Sequence, residues 1–295
     1  MKEIRVILDW FANTNHTGFF VAEKLGYFQD ANVSVQISGD VHGVLDTHGA
    51  DFVLGPEISI LEKIAEGVPL TAVATLTQRC DSGIVSLKKS GITSPKNLEG
   101  KRLTHWTPKW FHGVIGEAMR LCGGDYGKVR LVPMDVGDIV STLGSEADAT
   151  WVYENWENQE LLEAGREINY FALADIDPLF NFCAPSIAGT HAFLNGFPEE
   201  TKAFLHALSR GYVYAAAHPE EAVLLIRDCL PDVSDALLIR SQKHLSPILL
   251  DARGRWGVIQ SSRWDPMADW LIANGFYDRR RETEYTNAFL PAGCV

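Results

Sequence analysis

The fold is decided by the stretch from Ile4 to Phe28, whose sequence is IRVILDWFANTNHTGFFVAEKLGYF. Its apolar residues first alternate, as in a half-buried strand, and then return at helical spacing after a polar loop. In an α/β sheet, a loop between the carboxyl end of a strand and the next helix is the usual place for a ligand. Trp10, Asn13, Asn15 and His16 are therefore candidate ligand-binding residues. The structural alternative is a helix-capping loop with Trp10 in the core.

The composition indicates a globular protein that can bury a full core. Its 295 residues are 46% hydrophobic with a mean hydropathy of -0.04, and this length suits two lobes. A net charge of -12 without any basic stripe argues against nucleic acid as a partner. No apolar run approaches the ~20 residues that span a bilayer.

Metal and cofactor sites have no support in the sequence. Five widely spaced cysteines without a C-x-x-C pair indicate neither a zinc site nor a disulfide framework. His42 and His48 are six apart, and His105 and His112 are seven apart, so neither pair has the H-x-x-x-H spacing. The G-x-S-x-G, Walker A and G-x-G-x-x-G motifs are absent. We therefore predict neither a metal nor a cofactor.

Glu57 lies at a second strand-to-helix turn. It follows the apolar strand predicted from Asp51 to Leu54 and precedes a helical run that Gly67 ends. A helix N-terminus stabilises a carboxylate, so Glu57 has either this structural role or a role in binding a ligand.

A third turn carries Trp106, between the strand predicted at Lys101 to Leu103 and a helix through Leu121. Trp106 and Trp110 are four residues apart. They would either stack on a flat ring or pack on the surface of their own lobe.

An aromatic and acidic cluster follows the strand predicted from Ala147 to Val152. Tyr153 and Trp156 would wall a flat heterocycle, while Glu154 or Glu157 bonds its amino groups. The alternative is a helix N-terminus with ordinary first-turn acids and a buried Trp156.

Strands and helices alternate up to about Gly189, and helical segments follow. We predict an α/β fold of two lobes, joined by crossings at residues 83–87 and 185–189, with a helical return at the C-terminus. Lobe I would comprise residues 1–84 and 187–295, and lobe II residues 85–186.

The opening stretch resembles a family of periplasmic-type solute-binding proteins that includes thiamine pyrimidine-precursor binders and the fungal pyrimidine synthases. The residues that match its D-W-x-x-N-x-x-H-x-G run and G-Y-F helix end are Asp9, Trp10, Asn13, His16, Gly18, Gly26, Tyr27 and Phe28. The similarity continues through GADFVLGPEISILEKIAEGVPLTAVATL and SLKKSGITSPKNLEGKRL, and more weakly to the end. It therefore covers nearly the whole chain.

The resemblance implies a type II periplasmic-binding-protein fold and a monomeric component of an ABC importer, with the permease as its partner. The ligand would be a thiamine pyrimidine precursor, such as a formylated aminomethyl-pyrimidine, bound between the lobes with hinge closure. Trp10 and Trp156 would sandwich its ring, and Glu57 would accept a hydrogen bond from an amino group. Such a protein works in the periplasm or outside the cell at the membrane, and its signal segment would be absent from this chain. A cytoplasmic protein is the alternative.

Two features depart from the family pattern. Relatives tend to carry a Gly-rich, anion-binding loop where this chain has Trp106, which favours stacking on a ring instead. The fungal relatives use a histidine of their own, pyridoxal phosphate and a Cys-rich iron motif. This chain has Gly55-Pro56-Glu57 and the single-cysteine NFCAPS run around Cys183 instead, and Lys63 falls inside a helix. We therefore predict that it is not an enzyme. The alternatives are a pyridoxal-phosphate-dependent synthase and a binder of another flat heterocycle, such as riboflavin.

Overall fold

The structure is a computed structural model that describes residues 1–39, 45, 47–105, 109–134 and 137–292. The chain forms two compact units. Unit 1 comprises Met1–Arg79 and Phe182–Val295, and unit 2 comprises Cys80–Asn181. Each boundary lies five residues earlier than the one predicted after residue 84 or 186.

Ten strands and eleven helices lie in the described ranges. The strands are β1 Lys2–Leu8, β2 Val33–Gly39, β3 Phe52–Gly55, β4 Leu70–Thr75, β5 Ser82–Leu87, β6 Arg102–His105, β7 Arg130–Pro133, β8 Ala149–Tyr153, β9 Ile168–Ala172 and β10 Ser186–Thr190. The α-helices are α1 Thr17–Lys24, α2 Tyr27–Asp30, α3 Glu57–Ala65, α4 Lys109–Leu121, α5 Ile139–Thr142, α6 Glu157–Glu163, α7 His191–Gly196, α8 Pro198–Ala217, α9 Pro219–Ile226, α10 Asp235–Leu245 and α11 Ser261–Ala273.

Each unit is built on one five-stranded mixed sheet. The order is β2-β1-β3-β10-β4 in unit 1 and β7-β6-β8-β5-β9 in unit 2. The first three strands of each sheet are parallel. The fourth strand in each order is antiparallel to both of its neighbours.

The two segments predicted as simple crossings, 83–87 and 185–189, form the strands β5 and β10. Each is inserted inside a sheet, where neighbours on both sides satisfy its backbone hydrogen bonds. Four of the five residues of β10 and five of the six of β5 are buried. Strands buried on both faces lose the alternation of apolar and polar residues that marks a strand in sequence.

Helices α1 and α8 of unit 1 cross at a pair of glycines. A Cβ atom built at Gly211 would lie 2.1 Å from the carbonyl oxygen of Gly18. A Cβ atom at Gly18 would lie 2.2 Å from the ring of Tyr212. Only glycine allows the two backbones to approach this closely. Tyr212 in turn stacks on Trp256, with ring centroids 4.6 Å apart, in the core of unit 1.

Unit 2 has a separate core on its own sheet. Val85 of β5 and Val152 of β8 pack with Ile139, Leu143 and Leu161 on one side. A second group of buried aromatic rings is formed by Trp110, Phe111 and Trp151. Trp110 is thus a core residue of unit 2, because its ring lies edge-on to Trp151 at 5.9 Å.

Candidate functional site

The loop after β1 is held together by its own polar side chains, with His16 at its centre. His16 is fully buried, and its Nε2 lies 2.8 Å from Asp9 Oδ1. Its Nδ1 accepts a hydrogen bond from the backbone N–H of Asn13 at 3.2 Å. Because Nδ1 is an acceptor, the ring proton is on Nε2 and points at the Asp9 carboxylate. His16 therefore braces the loop.

The two predicted asparagines also have hydrogen-bond partners. The Asn13 Oδ1 accepts from the backbone N–H of Asn15 at 2.9 Å, and its Nδ2 donates to the Phe11 carbonyl at 3.2 Å. The Asn15 carbonyl accepts from the Tyr212 hydroxyl of α8 at 2.7 Å. Asn13 caps the turn that leads into α1, as the alternative interpretation expected, and the loop is fixed to the helical return.

Trp10 is the aromatic residue of this loop. Its side chain is partly exposed, and its ring lies 5.9 Å from the ring of Phe11 at 49°. The backbone of Trp10 passes close to Gly39 at the end of β2, where a Cβ atom would lie 3.3 Å from the Trp10 carbonyl. A partly exposed indole beside a second ring, at the carboxyl end of β1, can stack on a flat molecule.

Glu57 is the first residue of α3 and is fully buried. Its Oε2 accepts from the Cys183 N–H at 2.9 Å, and its own N–H donates to the Cys183 carbonyl at 2.8 Å. In the described part of the chain, its Oε1 has no hydrogen-bond partner. Because an unsatisfied buried oxygen costs free energy, this atom is a candidate acceptor for a ligand donor.

The surroundings of Glu57 act on its charge in opposite directions. Burial raises its pKa well above the ordinary value, because a buried carboxylate loses its hydration. The Cys183 N–H and the nearby Arg263 guanidinium work against this rise and favour the ionised form. Cys183 and Arg263 are 126 and 206 residues away in sequence, so no local pattern revealed them.

In unit 2 the turn after β8 is organised by Asp81. The Asp81 Oδ2 accepts from the Asn155 N–H at 3.2 Å, and its carbonyl accepts from the Glu154 N–H at 3.0 Å. The Tyr170 hydroxyl also donates to the Asp81 carbonyl, at 2.6 Å. Sequence reasoning missed Asp81, although an acid directly before an apolar strand is a signal that could have been used.

Among the predicted residues of this turn, Tyr153 and Glu154 are partly exposed, whereas Trp156 is buried. Trp156 is the residue before α6, and its side chain forms a hydrogen bond with Glu160. Glu157, the first residue of α6, accepts from the Tyr153 N–H at 3.0 Å. A first-turn acid beside a buried Trp156 is the structural alternative that the sequence left open.

The carboxyl groups at the start of α6 hold their protons strongly. Burial raises the pKa of Glu157 to about 8, and the neighbouring acids Glu160 and Asp81 add to the rise. Burial likewise raises the pKa of Glu160 to about 7, with Asp138 and Glu163 contributing. Desolvation and like charges explain both shifts.

Three further sequence predictions concern Trp106, metal ions and membranes. Trp106 lies outside the described residues. Within those residues, no group of three or more His, Cys, Asp or Glu side chains is arranged to hold a metal ion. Across the same ranges, none of the helices has the length and apolar character needed to cross a bilayer.

The fold has close counterparts among solved structures. The periplasmic aliphatic sulphonate binding protein SsuA of Escherichia coli superposes with a TM-score of 0.73 at 13% sequence identity. The match covers 96% of this chain and 91% of that one. The predicted periplasmic-binding-protein fold of two α/β lobes is therefore confirmed.

Two relatives that are similar over nearly the whole chain carry different names, one of an enzyme and one of a binding protein. The 4-amino-5-hydroxymethyl-2-methylpyrimidine phosphate synthase of Legionella pneumophila is 26% identical, over 98% of this chain and 93% of the relative. The formylaminopyrimidine-binding protein of Halalkalibacterium halodurans is 24% identical, over 95% of this chain and 87% of the relative.

These names correct one prediction. The exclusion of an enzyme rested on motifs missing near Glu57 and Cys183, and it is wrong. Several fungal relatives that match 98% of this chain also carry the synthase name. Loss of two local signatures is too weak an argument against whole-chain similarity to enzymes.

A family model described as NMT1/THI5 like matches residues 13–222, which is 210 of the 295 residues. The match begins at Asn13 in the polar loop of unit 1 and extends through the whole of unit 2 into the helical return. The resemblance inferred from the opening stretch is thereby confirmed. The chain belongs to the NMT1/THI5-like family.

Proposed function

We propose that the protein binds a 4-aminopyrimidine related to the precursors of thiamine. One observation carries the proposal, which is the buried carboxyl of Glu57 whose Oε1 has no partner in the described part of the chain. Relatives named for a hydroxymethylated aminopyrimidine phosphate and for formylaminopyrimidine support this ligand class. An exocyclic amino group is the donor that such an oxygen needs.

In this proposal Trp10 stacks on the pyrimidine ring and Glu57 accepts from its amino group. Asn13, Asn15 and His16 fix the loop that carries Trp10, since their hydrogen bonds lie largely within it. A hydrogen bond to a charged group contributes roughly 1.5–3 kcal/mol, and stacking adds to it. Together the two contacts would contribute roughly 2–4.5 kcal/mol of binding free energy.

The cellular role that we propose is that of a solute-binding component. The protein would act as a monomer in the periplasm or at the outer face of the membrane and deliver its ligand to an ABC permease. The fold of a periplasmic sulphonate-binding protein supports this assignment. The unit 2 residues Tyr153, Glu154, Trp156 and Glu157 are further candidates for ligand contact, each to be tested by substitution.

Calorimetric titration with 4-amino-5-hydroxymethyl-2-methylpyrimidine tests the proposal, with the analogue that lacks the 4-amino group as the matched ligand control. We expect saturable binding of the amino compound and at least about tenfold weaker binding of the analogue. Glu57→Gln should weaken binding by about 10- to 100-fold, because its amide places a donor opposite the ligand amino group. Glu66→Gln, at the exposed end of the same helix, should leave the affinity unchanged. Equal affinity of both ligands, or an unchanged Glu57→Gln variant, would refute the role of Glu57.

The names of the relatives favour a second function, synthesis of the pyrimidine phosphate. Lys63, the lysine considered for an imine with pyridoxal phosphate, lies on α3 and pairs with Glu66 at 2.8 Å. Incubation with pyridoxal phosphate, followed by chromatography for a pyrimidine phosphate, tests this function. Product formed by the wild-type chain would establish it, and binding without product would support the solute-binding role alone.

A further inference from the structure

A buried arginine on α11 bonds two carbonyl groups. The Arg263 side chain is almost completely buried, with 5% of the residue exposed. Its guanidinium donates to the Thr77 carbonyl at 2.8 Å and to the Phe182 carbonyl at 3.0 Å. Burying a cation is costly, so a charge in this place needs a compensating partner nearby.

The compensating partner of Arg263 is the Glu57 carboxyl group, which bonds the same peptide group as Arg263. The Phe182 carbonyl that accepts from Arg263 belongs to the same peptide as the Cys183 N–H, which donates to Glu57 Oε2 at 2.9 Å. Guanidinium, peptide and carboxylate therefore form a chain of two hydrogen bonds that point in one direction. Bonds linked in this way polarise and strengthen each other in a medium of low dielectric constant.

The reciprocal bond fixes the other half of the contact. The Glu57 N–H donates to the Cys183 carbonyl at 2.8 Å, so the first residue of α3 and the segment before β10 are tied twice. Arg263 holds the same segment from the opposite side. The carboxyl group of Glu57 thus has one oxygen fixed by Cys183, while Oε1 has no partner among the described residues.

We infer that Arg263 is a positioning residue for Glu57, which it acts on through the Phe182–Cys183 peptide. It orients the carboxyl group and favours its ionised form against the effect of burial, so that Oε1 can accept a hydrogen bond from an N–H donor of the ligand. The inference rests on the proposed function for its ligand. It also defines a specificity, because an ionised oxygen accepts amino groups and rejects ligands that offer only acceptors at that point.

Other charged groups near Glu57 also influence its ionisation. Arg280 also favours the ionised form, whereas Glu284 opposes it. Glu284 is itself bonded by the Arg280 guanidinium at 2.8 Å and by the Tyr277 hydroxyl at 2.8 Å, so much of its charge is balanced. Arg263 is the arginine whose hydrogen bonds lead directly to the Glu57 contact. Its removal should therefore change the ionisation of Glu57.

The test compares the variants Arg263→Met and Arg263→Lys with the wild-type chain. Arg255→Met is the matched control, because Arg255 is a partly buried arginine of unit 1 whose guanidinium bonds Asp251 at 2.7 Å. The first measurement is the affinity for 4-amino-5-hydroxymethyl-2-methylpyrimidine between pH 5 and 9. The second is the ionisation of Glu57 without ligand, followed as the carboxyl infrared band that disappears in Glu57→Gln.

Binding to an ionised Glu57 is lost as the pH falls through the pKa of this group. Arg263→Met should move that loss to higher pH by about one unit or more, with at least about tenfold weaker binding at pH 6. Arg263→Lys should show a smaller shift than Arg263→Met, because lysine keeps the positive charge. The infrared band should titrate at higher pH in the Met variant, and Arg255→Met should match the wild type.

Two results would overturn the inference. One is an affinity that falls equally at every pH in Arg263→Met, which is what a purely structural role predicts. The other is an infrared titration of Glu57 that is unchanged in both Arg263 variants. If no pyrimidine binds the wild-type chain, the proposed function fails, while the infrared titration still decides the role of Arg263. If Arg263→Met does not fold, Arg263→Lys alone provides the comparison.

Discussion

Units 1 and 2 contain five-stranded sheets with the same arrangement of strands, so the side-chain contacts at equivalent positions can be compared directly. In each unit, the backbone N–H of an arginine on the second strand of the sheet order donates to an aspartate carboxylate 46 residues later in the chain. The Arg5 N–H donates to Asp51 Oδ2 at 2.8 Å, and the Arg102 N–H donates to Asp148 Oδ2 at 2.9 Å. Both aspartates return a bond from their own N–H to the arginine carbonyl, at 2.9 Å in each unit.

The same correspondence pairs Glu57 with Glu157. Each is the first residue of the helix after the third strand in its sheet, and burial raises the pKa of each. Glu157 receives its hydrogen bond from Tyr153, four residues earlier, whereas Glu57 receives it from Cys183, 126 residues later. The turn of unit 2 is thus closed by a local contact. The turn of unit 1 depends on a distant segment and on the helices that hold it.

The largest expected effect concerns the stability contributed by the close packing of α1 on α8 in unit 1. Gly211→Ala should destabilise the protein by roughly 3 kcal/mol or more, because its Cβ would lie 2.1 Å from the Gly18 carbonyl oxygen. The matched change in unit 2 is Gly116→Ala on α4, where the nearest atom is Tyr126 at 3.8 Å. This variant should gain about 0.5–1 kcal/mol from helix propensity. Chemical denaturation of both variants measures the contrast, and equal stabilities would contradict it.

A second effect concerns stability as a function of pH. Because the folded states of Glu57 and Glu157 hold their protons more tightly than the unfolded chain, stability declines as the pH rises above the ordinary glutamate pKa. For Glu157 the decline should continue up to about pH 8. Glu157→Gln should therefore be more stable than the wild type at pH 9, by up to roughly 5 kcal/mol, and nearly equal at pH 5.

Glu57→Gln is the matching substitution in unit 1. It should also gain stability at high pH relative to the wild type, since the neutral amide avoids a buried charge. It should lose ligand affinity at the same time, whereas Glu157→Gln tests whether the equivalent position of unit 2 also serves binding. Thermal melts from pH 5 to 9 decide both points. A Glu57→Gln variant less stable than the wild type at pH 9 would show that its hydrogen bond outweighs its burial.

The smallest effect concerns the repeated arginine and aspartate pair. Asp51→Ala and Asp148→Ala should each cost about 1 kcal/mol, because each leaves one strand N–H without its acceptor. Asp148→Ala should cost more than Asp51→Ala by up to about 1 kcal/mol, because Asp148 also accepts from the Arg102 guanidinium at 2.8 Å, whereas the Arg5 guanidinium lies 3.8 Å from Asp51. Asp125→Ala, a capping residue on the surface of unit 2, provides a reference for an exposed acid. Equal values measured by denaturant titration would show that the Arg102 guanidinium contact adds nothing to stability.

Much of the fold was accessible from sequence because its signals are local. Strand, polar loop and helix followed one another in the first 28 residues as the apolar spacing predicted. The inserted strands β5 and β10 were taken only as crossings, because antiparallel pairing with distant strands leaves no local pattern. The structural repeat of the two units was also missed from the sequence. The units share strand order and hydrogen-bond geometry, but in sequence this repeat shows only as the dipeptide Ala-Asp before residues 52 and 149.

The site was only partly accessible for the same reason. Glu57 could be singled out because a strand-to-helix turn is visible in the spacing of apolar residues. Its partners Cys183 and Arg263 could not, because they come from other parts of the chain. Trp156 shows the reverse problem, since an aromatic residue at a promising turn is buried in its own unit.

The inserted strand β10 also bears on how the protein is made. All strands of unit 2 lie within residues 80–181, so the ribosome releases that unit as one uninterrupted piece. The sheet of unit 1 lacks a strand between β3 and β4 until Ser186 emerges, 107 residues after Arg79. Since domains generally fold as units during synthesis, the middle of the chain is ready to fold before its beginning. The N-terminal stretch that carries Trp10 and Glu57 thus acquires its final surroundings late in translation.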